Sequence, residues 1–147
     1  MNNKRELIVP LMEGMNNFYK LMRVLSKERY KSEKVLTEKQ FFALVEMKKY
    51  EKIELKNLSK DLTVSNSSLC ILLNKLVDQG YVYREEDSND RRNTFYALTE
   101  EGKLVTNEEI ERFIEIIEAK VEVLEESKQN RLLTALDDVN SLMKELI

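Results

Sequence analysis

The chain has 147 residues, 42% of them hydrophobic and 35% charged, which suits one domain of ordinary size with its own core and excludes a disordered tail. Its 24 basic and 27 acidic side chains leave a net charge of -3, so any face for a polyanion has to be local. With no His and a single Cys, the usual His or Cys metal sites, an internal disulfide and any Ser-His or Cys-His nucleophile pair cannot be built, and the expectation is no metal, no cofactor, no catalytic residue and no enzyme.

In chain order, residues 1–6 are polar and carry no signal-peptide core, and no later apolar run approaches the roughly 20 residues of a spanning helix. The sequence therefore reads as cytoplasmic, without membrane contact. Three Gly and one Pro in the whole chain, among runs of Leu, Ile, Glu and Lys, favour helix nearly throughout. From Leu7 the apolar positions Leu11, Met15, Phe18, Met22 and Leu25 recur at three or four residues and predict one long helix ending near Tyr30, with Pro10 tolerable near its first turn. Thr37 as N-cap, Gln40 three residues on, and Leu36 with Phe41 as a hydrophobic staple open a second helix. A short third helix spans about Leu55 to Leu62, with Leu55, Leu58 and Leu62 inward and Lys56 and Lys60 outward.

After the turn at Thr63 and Val64, the cap-forming cluster Ser65-Asn66-Ser67-Ser68 opens a fourth helix, whose apolar face is Leu69, Leu72, Leu73 and Leu76 and whose end is Gly80. The period then changes. Residues 81–86 and 94–98 are rich in Tyr, Val, Thr and Phe, and the polar stretch 87–93 between them has turn composition, which predicts a single β-hairpin with a long charged tip. Thr99 caps a following helix with Glu100 and Glu101 in its electropositive first turn. Leu104, Ile110, Phe113, Ile114, Ile117, Val121 and Leu124 form its stripe. A last helix from Ser127 carries Leu132, Leu133, Leu136, Val139, Leu142, Met143 and Leu146.

Charge is uneven along this plan. Residues 1–30 hold six basic and three acidic side chains, residues 31–102 twelve and thirteen, and residues 103–147 six and eleven, so the last third would repel a phosphate backbone that the rest could tolerate. Three short helices and a hairpin make a winged helix-turn-helix, in which the helix opened by Ser65 would enter a DNA major groove. Its first-turn hydroxyls, amide and free N–H groups suit phosphates and base edges, or simply cap a buried helix. Arg91 and Arg92 stand beside Asp87 and Asp90 where a turn needs only small polar residues; insertion into a narrow minor groove and a salt-bridged surface loop are the two readings. Met12, Met15, Phe18, Tyr19 and Met22 on the first helix either pack at an interface or form an adaptable pocket for a small apolar or aromatic effector.

The run Gly80-Tyr81-Val82-Tyr83-Arg84, then Asp87-Ser88-Asn89-Asp90-Arg91-Arg92, then Ala97-Leu98-Thr99-Glu100-Glu101-Gly102 resembles the wing and wing exit of the MarR (multiple antibiotic resistance regulator) family. The helix order and length fit that family across nearly the whole chain. The resemblance implies a mainly α fold with a small β-hairpin wing and a single domain over residues 1–147. Within it, residues 31–102 would be the DNA-binding lobe, and residues 1–30 and 103–147 the helices of an intertwined homodimer, with an effector held in the cleft between dimer core and lobe. By the same resemblance Asp90 and Arg92 bond to each other and stiffen the wing, and Arg91 reaches into the minor groove. Asn66, Ser67, Ser68, Cys70 and Lys75 fall at major-groove and phosphate positions, and Lys56, Ser65, Ile71 and Arg84 complete the expected contact set. Cys70 and Ile71 depart from the polar or basic residues the family usually carries there, leaving Lys75 as the only cation on that helix, although an apolar side chain can still pack on a thymine methyl group. The lack of His argues against the family's zinc-sensing members, and the lack of a first-helix Cys against its peroxide-sensing ones. The implied function is a homodimeric transcription regulator on a pseudo-palindromic duplex operator; the alternative is a winged helix that docks a protein and has lost DNA binding.

Overall fold

The computed structural model describes residues 3–31 and 36–147; the expected link between the first two helices, and the first two residues of the expected polar start, lie outside them. The elements are α1 (Lys4–Lys31), α2 (Glu38–Met47), β1 (Ile53–Glu54), α3 (Leu55–Leu62), α4 (Asn66–Asp78), β2 (Val82–Glu86), β3 (Thr94–Leu98), α5 (Glu100–Val121) and α6 (Glu126–Lys144). The chain divides into two units, Met1–Phe113 and Ile114–Ile147.

In the first unit, local chemistry sets the helix ends. The Gln40 N–H donates to Thr37 Oγ1 at 3.2 Å and the Thr37 N–H to Gln40 Oε1 at 3.1 Å, so both halves of the capping box form, and Leu36 and Phe41 are buried as its staple. The α4 helix starts from Ser65, whose Oγ accepts the Ser68 N–H at 3.2 Å. It ends in a Schellman turn, with Tyr81 N–H on Leu76 O and Gly80 N–H on Val77 O, both 3.0 Å, and Gly80 at φ 82°, a conformation that costs glycine nothing. The α1 helix starts earlier than expected, which puts Pro10 in its interior rather than its first turn, where proline removes one backbone donor.

The sheet has three strands in the order β1-β3-β2, all antiparallel, with Ile53 opposite Tyr96 and Val82 opposite Leu98. The sequence pattern predicts only the hairpin. Two residues of strand carry no periodicity of their own, and β1 exists because β3 offers it a ladder. Around this sheet, Leu44, Leu58, Leu69, Leu73, Leu76 and Val82 are almost fully buried and form one core shared by α2, α3, α4 and the wing base. Burying six such side chains contributes of order 10 kcal/mol before chain entropy is set against it.

A buried ion pair ties α1 to this lobe. Arg29 lies 3.0 Å from Glu109 of α5, with both side chains at most 5% exposed, its guanidinium stacks 4.3 Å over the Phe41 ring, and it donates to Leu36 O at 3.4 Å. Glu109 also accepts from Arg112 at 3.0 Å. A charge pair this deep is stable only because each partner is held by further contacts, and removing one partner alone would strand the other. In the second unit, Gln129 Nε2 donates to Leu124 O at 2.8 Å, closing the turn before α6, and α6 buries none of its residues.

Candidate nucleic-acid interface

The α3 and α4 helices meet at a turn through Thr63, the one non-glycine residue among those described with positive φ (55°). The Val64 N–H closes it on Ser59 O at 3.0 Å. Leu69, Leu73 and Leu76 face the core at 1% exposure or less. Helical spacing then turns the opposite side outward, and Asn66, Ser67, Ser68, Ile71, Asn74, Lys75 and Asp78 are all exposed there. Cys70 is half-buried between the two faces.

The expected hydroxyl cluster is partly occupied with itself. Ser65 Oγ donates to Ser68 Oγ at 2.9 Å while accepting the Ser68 amide, so these two serve the helix start, and Asn66 and Ser67 are left as the short polar side chains turned to solvent. Ser65, Ser68, Ile71 and Lys75 line a groove of about 660 Å³ together with Lys39, Phe42 and Val64. Lys56, Arg84, Arg91 and Arg92 do not line it.

Lys39 is the residue that sequence reasoning missed. It sits on the first turn of α2, and it lines both this groove and the neighbouring one at Thr37 and Gln40 beside Lys75. No local pattern marks it, because its nearness to Lys75 is made by the packing of α2 on α4. The expected contact set also omits Asn74, although its spacing from Ser67 and Ile71 places it on their face. Among the described residues, Lys39, Lys75, Arg84, Arg91 and Arg92 form no ion pair, whereas Lys56 sits 3.1 Å from Glu54. An unpaired exposed cation can meet a phosphate directly, whereas a paired one must first leave its carboxylate.

The wing tip is ordered by its aspartates. Asp87 Oδ1 accepts the Asn89 N–H at 2.9 Å and Asp90 Oδ1 accepts the Arg92 N–H at 3.0 Å, while Asp87 N–H donates to Asn93 O and Asn93 N–H to Asp90 O. The link between Asp90 and Arg92 therefore runs through the Arg92 backbone amide. The two residues are thus bonded to each other, and both arginine side chains stand exposed.

Elsewhere, Met12, Met15, Phe18 and Tyr19 are 61–64% exposed on α1 and Met22 is half-buried. At the end of α2, a hydrogen bond from Lys49 to Glu46 raises the ammonium pKa above its usual value, and one from Tyr50 to Asp61, at 2.7 Å, raises that of the phenol. Among the described residues no cluster of carboxylates and thiols is placed to hold a metal ion, and no helix is long and apolar enough to cross a membrane.

Residues 36–94 match the model of the MarR family. The transcriptional regulator SarZ of Staphylococcus haemolyticus is 34% identical over 88 residues, which are 56% of this chain and 60% of that protein, so the chain spans less than two thirds of this relative's length. Among solved structures, wild-type MarR of E. coli in its apo form is 24% identical with a TM-score of 0.72, over 88% of this chain and 94% of that one. FabT of Streptococcus pneumoniae, solved in complex with DNA, is 20% identical with a TM-score of 0.66, over 99% and 100%.

Proposed function

We propose that the chain is a member of the MarR family, whose model its residues 36–94 match, and that it is a sequence-specific DNA-binding transcription regulator. It acts as a homodimer on a pseudo-palindromic operator, in the cytoplasm and without catalysis. The observation that carries the reading is α4, with a leucine face sealed into the core and an opposite face open, polar near its N-terminus and flanked by the unpaired Lys39 and Lys75. The N-terminal turns of such a helix are the part that reaches base edges, and Asp78, at its far end, keeps the C-terminal turn away from phosphate. Arg91 and Arg92 on the wing supply a second contact in the minor groove. The solved neighbour in complex with DNA supports the same use of the fold. The Met-rich face of α1 is part of the reading as the place for a small apolar or aromatic effector once a partner covers it.

Exposed Ile71, Phe42 and Val64 favour a second reading, a winged helix that docks a protein. Titration of duplex DNA against salt separates the two. With four unpaired cations per protomer engaged, a dimer should show a slope of log affinity on log salt of about -7. A flat dependence, or no binding to any fragment of a genomic pool, overturns the DNA reading.

A further inference from the structure

We propose that this protein reads thymine C5-methyl groups in the major groove through Ile71, so that its operator is recognised in large part by an apolar contact; the proposal rests on the DNA-binding reading above. Ile71 is 63% exposed, against 0–1% for the three leucines on the other side of the same helix. It is therefore no core residue. It stands centrally on the outward face, one turn after Ser67 and one turn before Asn74 and Lys75, all of them exposed. Lys39 and Lys75 border the groove that Ile71 lines, and charge complementarity selects its occupant, since two unpaired cations beside an apolar side chain match a strand whose phosphates lie next to a methyl-bearing base edge.

In the major groove only thymine among the four bases presents an apolar group, and Ile71 has no hydrogen-bonding atom with which to read anything else. Asn74 beside it carries a donor and an acceptor on one amide, which complement the acceptor N7 and the donor N6 amino group of adenine. The adjacent pair thus suits thymine and adenine close together under the helix. Ser65 and Ser68, occupied with each other, add little to base reading, which leaves the methyl contact a larger share.

The test uses the full chain and the tightest duplex selected from a random library, synthesised once with thymidine and once with deoxyuridine, which removes the methyl group and keeps the pairing. Wild-type protein should bind the thymidine duplex about fourfold more tightly per half-site, the free energy of burying one methyl-sized group. Ile71→Ala should bind the two duplexes equally, with an unchanged thermal midpoint because the side chain is exposed. Equal wild-type affinity for both duplexes, or a selected site with no thymine facing α4, overturns the methyl reading while leaving salt-dependent DNA binding intact. Failure to select any duplex overturns the DNA reading itself, and this one with it.

Discussion

Gly102 shows how one missing side chain can hold a wing to its helix. Thr99 Oγ1 donates to Gly80 O at 2.6 Å and accepts the Gly102 N–H at 2.9 Å, while the Thr99 N–H donates to Tyr81 O at 3.1 Å. Two of these bonds pin the exit of the hairpin to the end of α4, and the third caps the start of α5. They bring the first turn of α5 so close to Tyr81 that a Cβ at position 102 would overlap its carbonyl group. Gly102→Ala should therefore cost about 3 kcal/mol or more, since rigid backbone on both sides leaves no room to relax, and a urea midpoint with unchanged m-value will show it. Thr63 is the opposite case, a β-branched residue held left-handed at φ 55° with its side chain exposed. Such a conformation costs a non-glycine residue roughly 1–2 kcal/mol. Asparagine visits it more readily, so Thr63→Asn should raise stability by about 1 kcal/mol in the same measurement.

At the scale of elements, what was legible in the sequence is what local chemistry decides. The capping pair Thr37 and Gln40, the span of α3 and the Ser65 start of α4 are written within a few residues of where they act, and the structure has them there. The strand β1, the pairing of Arg29 with Glu109 across 80 residues and the approach of Lys39 to Lys75 depend on tertiary neighbours, and no window of sequence contains both partners. The wing lies between these cases. Its composition reveals a turn, but only the structure shows that Asp90 holds the Arg92 amide and leaves both guanidinium groups unpaired. Arg91→Ala and Arg92→Ala should then each reduce the salt slope of operator binding by about one per engaged phosphate. Asp90→Ala should weaken binding by loosening the tip without reducing that slope, whereas Asp90→Asn, which keeps the acceptor, should bind as wild type. Equal slopes for wild type and Arg91→Ala would take the wing off the DNA.

For the whole molecule the question is what covers the exposed apolar faces of α1 and, separately, of α6. Among the exposed side chains are Leu7 at 70%, Met12 at 64% and Phe18 at 64% on α1, and Leu133 and Leu142 at 61% on α6, with Leu146 at 74% just beyond it. Soluble monomers rarely leave more than roughly 300–600 Å² of contiguous apolar surface open. A second copy would be an economical cover for each of these faces, and the proposed two-fold dimer would set two α4 helices about 34 Å apart, one turn of duplex. Light scattering at micromolar concentration should accordingly give twice the 17.4 kDa of the chain. Leu133→Glu with Leu142→Glu, both on α6 and neither on the winged lobe, should yield a monomer whose circular dichroism still reports the helices of the lobe. Its operator affinity should collapse, since each half-site then binds alone and loses the effective concentration that the second supplies. A wild-type monomer would remove the dimer, and a variant monomer that keeps full affinity for the operator would show that a single lobe suffices.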